Sequence, residues 1–136
     1  MKKTENIKIP SQREEIPKVE SVIEKINEEF CLPPEKFLNL QIAISEVLVN
    51  AIVHGNKENP DKNVYIELSF DENEFSINVR DEGTGFDINM IPDPTQDANL
   101  LKEHGRGIFI IKSLCDNLDF KSSAKGTEIK MTFRKK

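Results

Sequence analysis

Phe37-Leu-Asn-Leu40-Gln-Ile-Ala-Ile44-Ser-Glu46-Val-Leu-Val-Asn50-Ala-Ile-Val-His54-Gly55 is the stretch on which the fold turns. Phe37, Leu40, Ile44, Val47, Leu48, Ala51 and Ile52 recur at helical spacing, which predicts an amphipathic helix with one face in a core. Pro33-Pro34, with Glu35 in the first turn, opens that helix, and it runs to about Gly55. Its remaining polar residues, Glu46, Asn50 and His54, stand at i, i+4 and i+8 and form one stripe.

Working outward, residues 4–9 alternate polar and apolar and end at Pro10, as a short edge strand does. Ser11-Gln-Arg-Glu14 matches a capping box, and after it Ile16, Val19, Val22, Ile23, Ile26 and Phe30 predict a first amphipathic helix that ends before Pro33. Downstream, residues 56–63 are a polar turn. The alternating stretches 64–70 and 75–80 flank Asp71-Glu-Asn-Glu74 as a hairpin. Residues 87–104, with Pro92 and Pro94, form a connection long enough to be functional or mobile. Ile108 to Leu114 is an apolar helix, and 117–120 with 127–133 predict a closing hairpin around Ser122-Ser-Ala-Lys-Gly126. The order β-α-α-β-β-loop-α-β-β, in which helices do not alternate strictly with strands, predicts an α+β sandwich over residues 1–136. A mixed, mostly antiparallel sheet would pack against helices in one domain.

Hydrophobic residues make up 37% of the chain and charged residues 32%, enough apolar content for a globular core. Net charge is -5 with a pI near 5.2, and basic residues are scattered apart from Arg134-Lys-Lys136, so nucleic acid is not an expected partner. Met1-Lys-Lys is followed by Thr-Glu-Asn rather than an apolar core, and no apolar run is read as reaching the length of a membrane span. A cytoplasmic location without membrane contact is expected. Cys31 and Cys115 lie far apart in apolar surroundings and are expected to be two buried thiols rather than a disulfide or a metal pair.

Three segments carry chemistry. The stripe on the helix at 34–55 could be a solvated face. Yet its neighbours are almost wholly apolar, and a carboxylate one turn before a carboxamide joins a proton acceptor to a neutral oxygen ligand suited to hydrated Mg²⁺. Asp81-Glu-Gly-Thr-Gly85 follows a strand. It could be a turn whose glycines supply positive φ, or a seat in which one carboxylate accepts from an exocyclic amine while Gly83 and Gly85 let a flat ring approach the backbone. His104-Gly-Arg-Gly-Ile108 enters the apolar helix, where backbone N–H groups and the dipole favour an anion and Arg106 adds a charged donor. Neither a Gly-x-x-x-x-Gly-Lys-Ser/Thr loop nor a Gly-x-Gly-x-x-Gly after a first strand occurs.

In this order, Glu46-Val-Leu-Val-Asn50-Ala-Ile-Val-His54-Gly resembles the N box of the GHKL ATPase superfamily, Asp81-Glu-Gly-Thr-Gly85 its G1 box and His104-Gly-Arg-Gly-Ile108 its G2 box. Gly126-Thr127 resembles its final Gly-Thr. The compact length and Gly-Arg-Gly-Ile-Phe-Ile-Ile-Lys-Ser-Leu are most similar to stand-alone anti-sigma-factor serine/threonine-protein kinases. The resemblance implies a Bergerat-type ATP-binding fold with ATP and Mg²⁺. It further implies Glu46 as base toward a hydroxyl, Asn50 on Mg²⁺, His54 within the nucleotide site and Asp81 on the adenine amine. Thr127 would support the adenine, Gly83 and Gly85 would allow close approach, and Gly105, Arg106, Gly107 and Ile108 would hold phosphates. Residues 87–104 would be an ATP lid.

The activity so implied is transfer of the γ-phosphoryl group of ATP to a serine or threonine of a STAS-type anti-anti-sigma partner, with sequestration of a sigma factor and formation of a homodimer. A histidine-kinase catalytic domain is a rival reading. It needs a phosphoacceptor histidine on a dimerisation helix, and the only histidines are His54 and His104, while residues 1–45 are expected to leave no room for a helical hairpin. An ATP-loaded switch without transferase activity is the other alternative, since a slight misplacement of Glu46 would abolish transfer and leave binding intact. Val47-Leu48-Val49 also departs from the smaller or polar residues of many anti-sigma kinases.

Overall fold

A computed structural model of the protein describes residues 2–83, 106–123 and 125–135. Strands β1 (Lys3–Pro10), β2 (Asn63–Phe70), β3 (Glu74–Arg80), β4 (Asn117–Ser123) and β5 (Gly126–Arg134) form one sheet in the order β1-β2-β3-β5-β4. Three apolar rungs cross its centre: Ile66, Val79 and Ile129; Leu68, Ile77 and Met131; Phe70, Phe75 and Phe133. Because side chains alternate along a strand, Tyr65, Glu67, Asn78, Arg80 and Lys130 fall on the other face, where the Arg80 guanidinium lies 4.4 Å from the Tyr65 ring centre.

Helices α1 (Ile16–Phe30), α2 (Pro34–Val49) and α3 (Arg106–Leu114) cover the apolar face. α1 buries Val19, Ile23, Ile26 and Phe30, and α2 buries Leu40, Ala43, Ile44, Val47 and Leu48. These residues share one core with the three rungs, each large side chain worth about 1.5–3 kcal/mol when fully removed from water. Phe30 stands edge-on to Phe75 and Phe70, with ring centres 5.7 and 6.1 Å away, and locks α1 to the far end of the sheet. The result is the two-layer α+β sandwich that the element order predicts.

Pins at that far end set the direction of the helices. The Lys36 ammonium, at the start of α2, sits 3.2 Å from the Asp116 carboxylate just beyond α3, and Asp116 also accepts from the Arg134 amide at the end of β5. The C-terminus of α2 and the N-terminus of α3 therefore point to the opposite end, where β3 finishes and β5 begins.

Several expectations need correction. The sheet is antiparallel at every pairing among the described residues rather than mixed, because β3 and β5 become neighbours through α3 and the β4–β5 hairpin. Ser11 does not cap a helix. A 3₁₀ turn at Arg13–Glu15 intervenes before α1 with Gln12 at its N-cap, and the Ser11 hydroxyl is used elsewhere, donating to the Lys62 carbonyl at 2.6 Å. Cys31 is exposed and Cys115 partly so; both are free thiols but not two buried ones. Cys31 ends α1 in the left-handed conformation (φ 59°), which turns the chain outward while its amide closes on the Asn27 carbonyl. Finally, Pro34–Gly55, 22 residues, is long and apolar enough to cross a membrane by length and composition, contrary to the sequence reading. Its apolar face lies against the sheet in the core.

Candidate functional site

The helical pattern that predicts one helix to Gly55 conceals a change of winding. α2 is α-helical to Val49, and Asn50–Gly55 continues as a π-turn in which the Asn56 amide reaches back five residues to the Ala51 carbonyl at 2.8 Å. Apolar spacing is kept through Ala51 and Ile52, both buried, so periodicity alone does not reveal the widening. Glu46, Asn50 and His54 are half-buried along this element. The wider turn brings Gly55 directly against the end of β3.

There the residues Asp81, Gly83, Gly126 and Thr127 meet. Asp81 is 4% exposed. Its Oδ1 accepts from the Gly83 amide at 2.9 Å and the Thr127 amide at 3.1 Å, while its own amide donates to the Thr127 carbonyl at 2.9 Å. Burial raises the Asp81 carboxyl above the usual carboxylate range, and the two backbone N–H bonds and the Lys62 charge pull in the opposite direction. Oδ2 is the oxygen turned toward Gly55. Thr127, itself buried, brings its hydroxyl within 3.4 Å of that of Ser122 on β4. A cleft of about 280 Å³ is lined at this corner by Arg80, Asp81, Lys121, Ser122, Lys125 and Thr127, with Asp81 and Thr127 at its buried edge.

The glycines here answer to packing as well as to any ligand. A Cβ on Gly55 would stand 2.6 Å from Asp81 Cγ, and one on Gly83 would stand 2.6 Å from the Gly55 carbonyl carbon. Gly126 has φ 143°, a backbone region that L side chains rarely adopt. Gly55→Ala is therefore expected to lower stability by about 1–3 kcal/mol through overpacking, read as a fall in denaturation midpoint. An unchanged midpoint would show that the Gly55–Asp81 contact is not tight in solution.

Of the residues singled out in the sequence, the structure thus joins Asp81, Gly83 and Thr127 directly and places Glu46, Asn50 and His54 on the helix whose end abuts them. Gly85, Gly105, His104 and the 87–104 segment lie outside the described residues. Arg106, Gly107 and Ile108 open α3, and their side chains also lie outside them. Among the described residues no group of three or more His, Cys, Asp or Glu is arranged to hold a metal ion. Asn50 remains a single oxygen donor, the type of ligand that Mg²⁺ combines with phosphate oxygens and waters.

Sequence reasoning missed Asn56. It is 1% exposed, and its carboxamide accepts from the Glu82 amide at 2.7 Å and donates to Ser11 Oγ at 2.9 Å and to the Asn63 carbonyl at 3.0 Å. Its place in a polar run (Asn56 to Asn63) disguised it as a turn residue. Ser122 was missed as well, because the expected strand stops at 120 while β4 continues and pairs Ser122 with Thr127.

Comparison with known proteins gives the family and the fold. The histidine kinase-like ATPase domain profile matches residues 9–133. The anti-sigma F factor of Oceanobacillus iheyensis is 33% identical over 101 residues, 72% of this chain and 69% of the relative. The serine-protein kinase RsbW of Listeria monocytogenes is 30% identical over 90 residues, 62% of this chain and 57% of the relative. The crystal structure of the RsbU and RsbW domains of a Mycobacterium tuberculosis protein aligns with 97% of this chain and 32% of its own, with a TM-score of 0.67 at 18% identity, which shows a shared fold. The chain belongs to the histidine kinase-like ATPase domain family, with anti-sigma F factors and an RsbW serine-protein kinase among its relatives.

Proposed function

We propose that this chain is a cytoplasmic, homodimeric anti-sigma factor with serine/threonine-protein kinase activity. It phosphorylates a STAS-type anti-anti-sigma protein and sequesters a sigma factor. The observation that carries the reading is the Asp81 carboxylate, held through Oδ1 by the Gly83 and Thr127 amides at the junction of α2, β3 and β5. A buried, oriented carboxylate with its second oxygen directed to one side is suited to accept from the amine of adenine.

The donor set fits ATP with Mg²⁺. Asp81 would bind the adenine amine, Thr127 and Gly83 would keep that carboxylate in place, Asn50 would offer its side-chain oxygen to the metal, and the start of α3 would present amides to phosphate. When bound, ATP supplies the γ-phosphoryl group and Mg²⁺ spreads the charge that develops on its oxygens. Glu46, one helical turn before Asn50, would take the proton of the incoming serine or threonine hydroxyl as the new O–P bond forms and the bond to the β-phosphate oxygen breaks. Most of the rate would then come from how firmly α2 and its π-turn hold Glu46 and Asn50 in relation to Asp81.

The test is incubation of the purified chain with γ-labelled ATP, Mg²⁺ and a STAS-type protein from the same cell. Label on a serine or threonine of that protein is expected. Nucleotide-dependent capture of the partner without transfer of label would replace the kinase reading by an ATP-loaded switch.

A further inference from the structure

Asn56 sits immediately after the π-turn and uses both of its side-chain N–H donors and its carbonyl oxygen inside the protein. The three partners belong to different parts of the chain: Ser11 between β1 and α1, Asn63 at the start of β2, and Glu82 next to Asp81. The network continues beyond the carboxamide, since Ser11 Oγ donates to the Lys62 carbonyl and the Glu82 carboxylate accepts from the Asn63 amide. Two of these contacts touch the Asp81–Gly83 segment, both at Glu82: its carboxylate accepts from the Asn63 amide, and its amide, the one group of the segment's backbone in the network, donates to Asn56 Oδ1. The same peptide is pressed from the other side by Gly55, whose carbonyl occupies the space where a Gly83 Cβ would lie.

We infer that Asn56 is a positioning residue for nucleotide selection: through the Glu82 amide it sets where the Asp81 carboxylate stands relative to the end of α2. This rests on the assignment of Asp81 as the adenine acceptor. The other two bonds, to Ser11 and Asn63, hold the joint between the N-terminal strand and β2 and serve stability instead. The two roles belong to different atoms of one side chain and can be separated by substitution.

The experiment compares equilibrium binding of ATP and ITP, which lacks the 6-amino group, with thermal denaturation of the same nucleotide-free samples. Asn56→Ala removes all three bonds, so its denaturation midpoint falls. Its ATP affinity falls about 10-fold, the size of one lost oriented hydrogen bond, whereas ITP affinity changes by less than about 3-fold. Asn56→Asp keeps an oxygen for the Glu82 amide but leaves Ser11 Oγ and the Asn63 carbonyl without their donor. It is expected to melt at least as early as Asn56→Ala yet to retain the wild-type preference for ATP over ITP. If Asn56→Ala does not fold, Asn56→Ser, whose hydroxyl stops short of the Glu82 amide, carries the same expectation.

Equal losses for ATP and ITP in Asn56→Ala, or loss of the preference in Asn56→Asp to the same extent, would overturn the positioning role and leave a structural one. A wild-type protein that binds ATP and ITP equally would instead overturn the adenine assignment of Asp81, and the inference with it.

Discussion

Asp81→Asn is expected to abolish detectable ATP binding while the protein stays folded. The amide oxygen of asparagine can still accept from the Gly83 and Thr127 amides, so the turn keeps its two bonds. The group beside Gly55 then becomes an NH₂. A carboxylate that accepted from the adenine amine is replaced by a donor facing a donor, so the hydrogen bond is lost and a desolvated clash takes its place. Together these amount to about 3 kcal/mol or more, at least a hundredfold in affinity. Isothermal titration with ATP decides the matter, and an unchanged affinity would remove the adenine seat from Asp81.

Acid should imitate this substitution. Burial raises the Asp81 carboxyl in the folded protein, so its proton returns at a higher pH than in an ordinary carboxylate. Because Oδ1 already accepts from two amides, the proton goes to Oδ2 and turns the oxygen proposed to accept from the amine into a donor. ATP affinity is thus expected to fall as pH drops through the raised value, before ordinary carboxylates titrate. Stability responds with the opposite sign. A carboxyl whose folded value lies above its unfolded one favours the fold below the unfolded value, and that contribution is lost as pH rises through the folded one. Acidification through this window should therefore weaken nucleotide binding while the contribution of Asp81 to apo stability grows. Flat affinity down to the ordinary carboxylate range would count against the raised group being the acceptor.

Glu46→Gln is the second large effect expected, on transfer rather than on binding. The substitution keeps shape and removes only the ability to take a proton. Loss of a general base typically lowers rates by about 10²–10⁴-fold. ATP affinity should stay within about 3-fold, because the contacts proposed for adenine and phosphate lie at Asp81 and the start of α3. A variant that phosphorylates its partner at the normal rate would remove Glu46 from the role of base.

How much of this was legible beforehand depended on whether a property is local. The apolar stripe of α2, the two hairpins and the edge strand ending at Pro10 all follow from spacing along a continuous run, and the structure has their strands within a residue or two, except that β4 runs three residues beyond the expected end at 120. Asp81 and Thr127 were individually visible as candidates, yet nothing near either residue in sequence reveals that the Thr127 amide binds the Asp81 carboxylate. Ser11 shows the opposite failure. Its local pattern fits a capping box, and the long-range partners Lys62 and Asn56 took the hydroxyl instead. The π-turn was hidden because a wider winding can preserve the order of buried and half-buried side chains over a single turn. Cys31 was misjudged as buried because the left-handed end of α1 depends on a backbone angle that apolar neighbours do not encode.

The crowding of Gly55, Gly83 and Asp81 bears on how a chain of this kind would decay. A descendant that gave up nucleotide altogether would still have to leave position 83 without a side chain, since the Gly55 backbone fills that space, and position 55 for as long as the Asp81 side chain stands against it. The half-buried position 46 could be refilled by another side chain of similar size with far less disturbance. Glycines in the right places would then survive as a relic of architecture, and the first mark of a retired kinase would be a change of the acid at position 46.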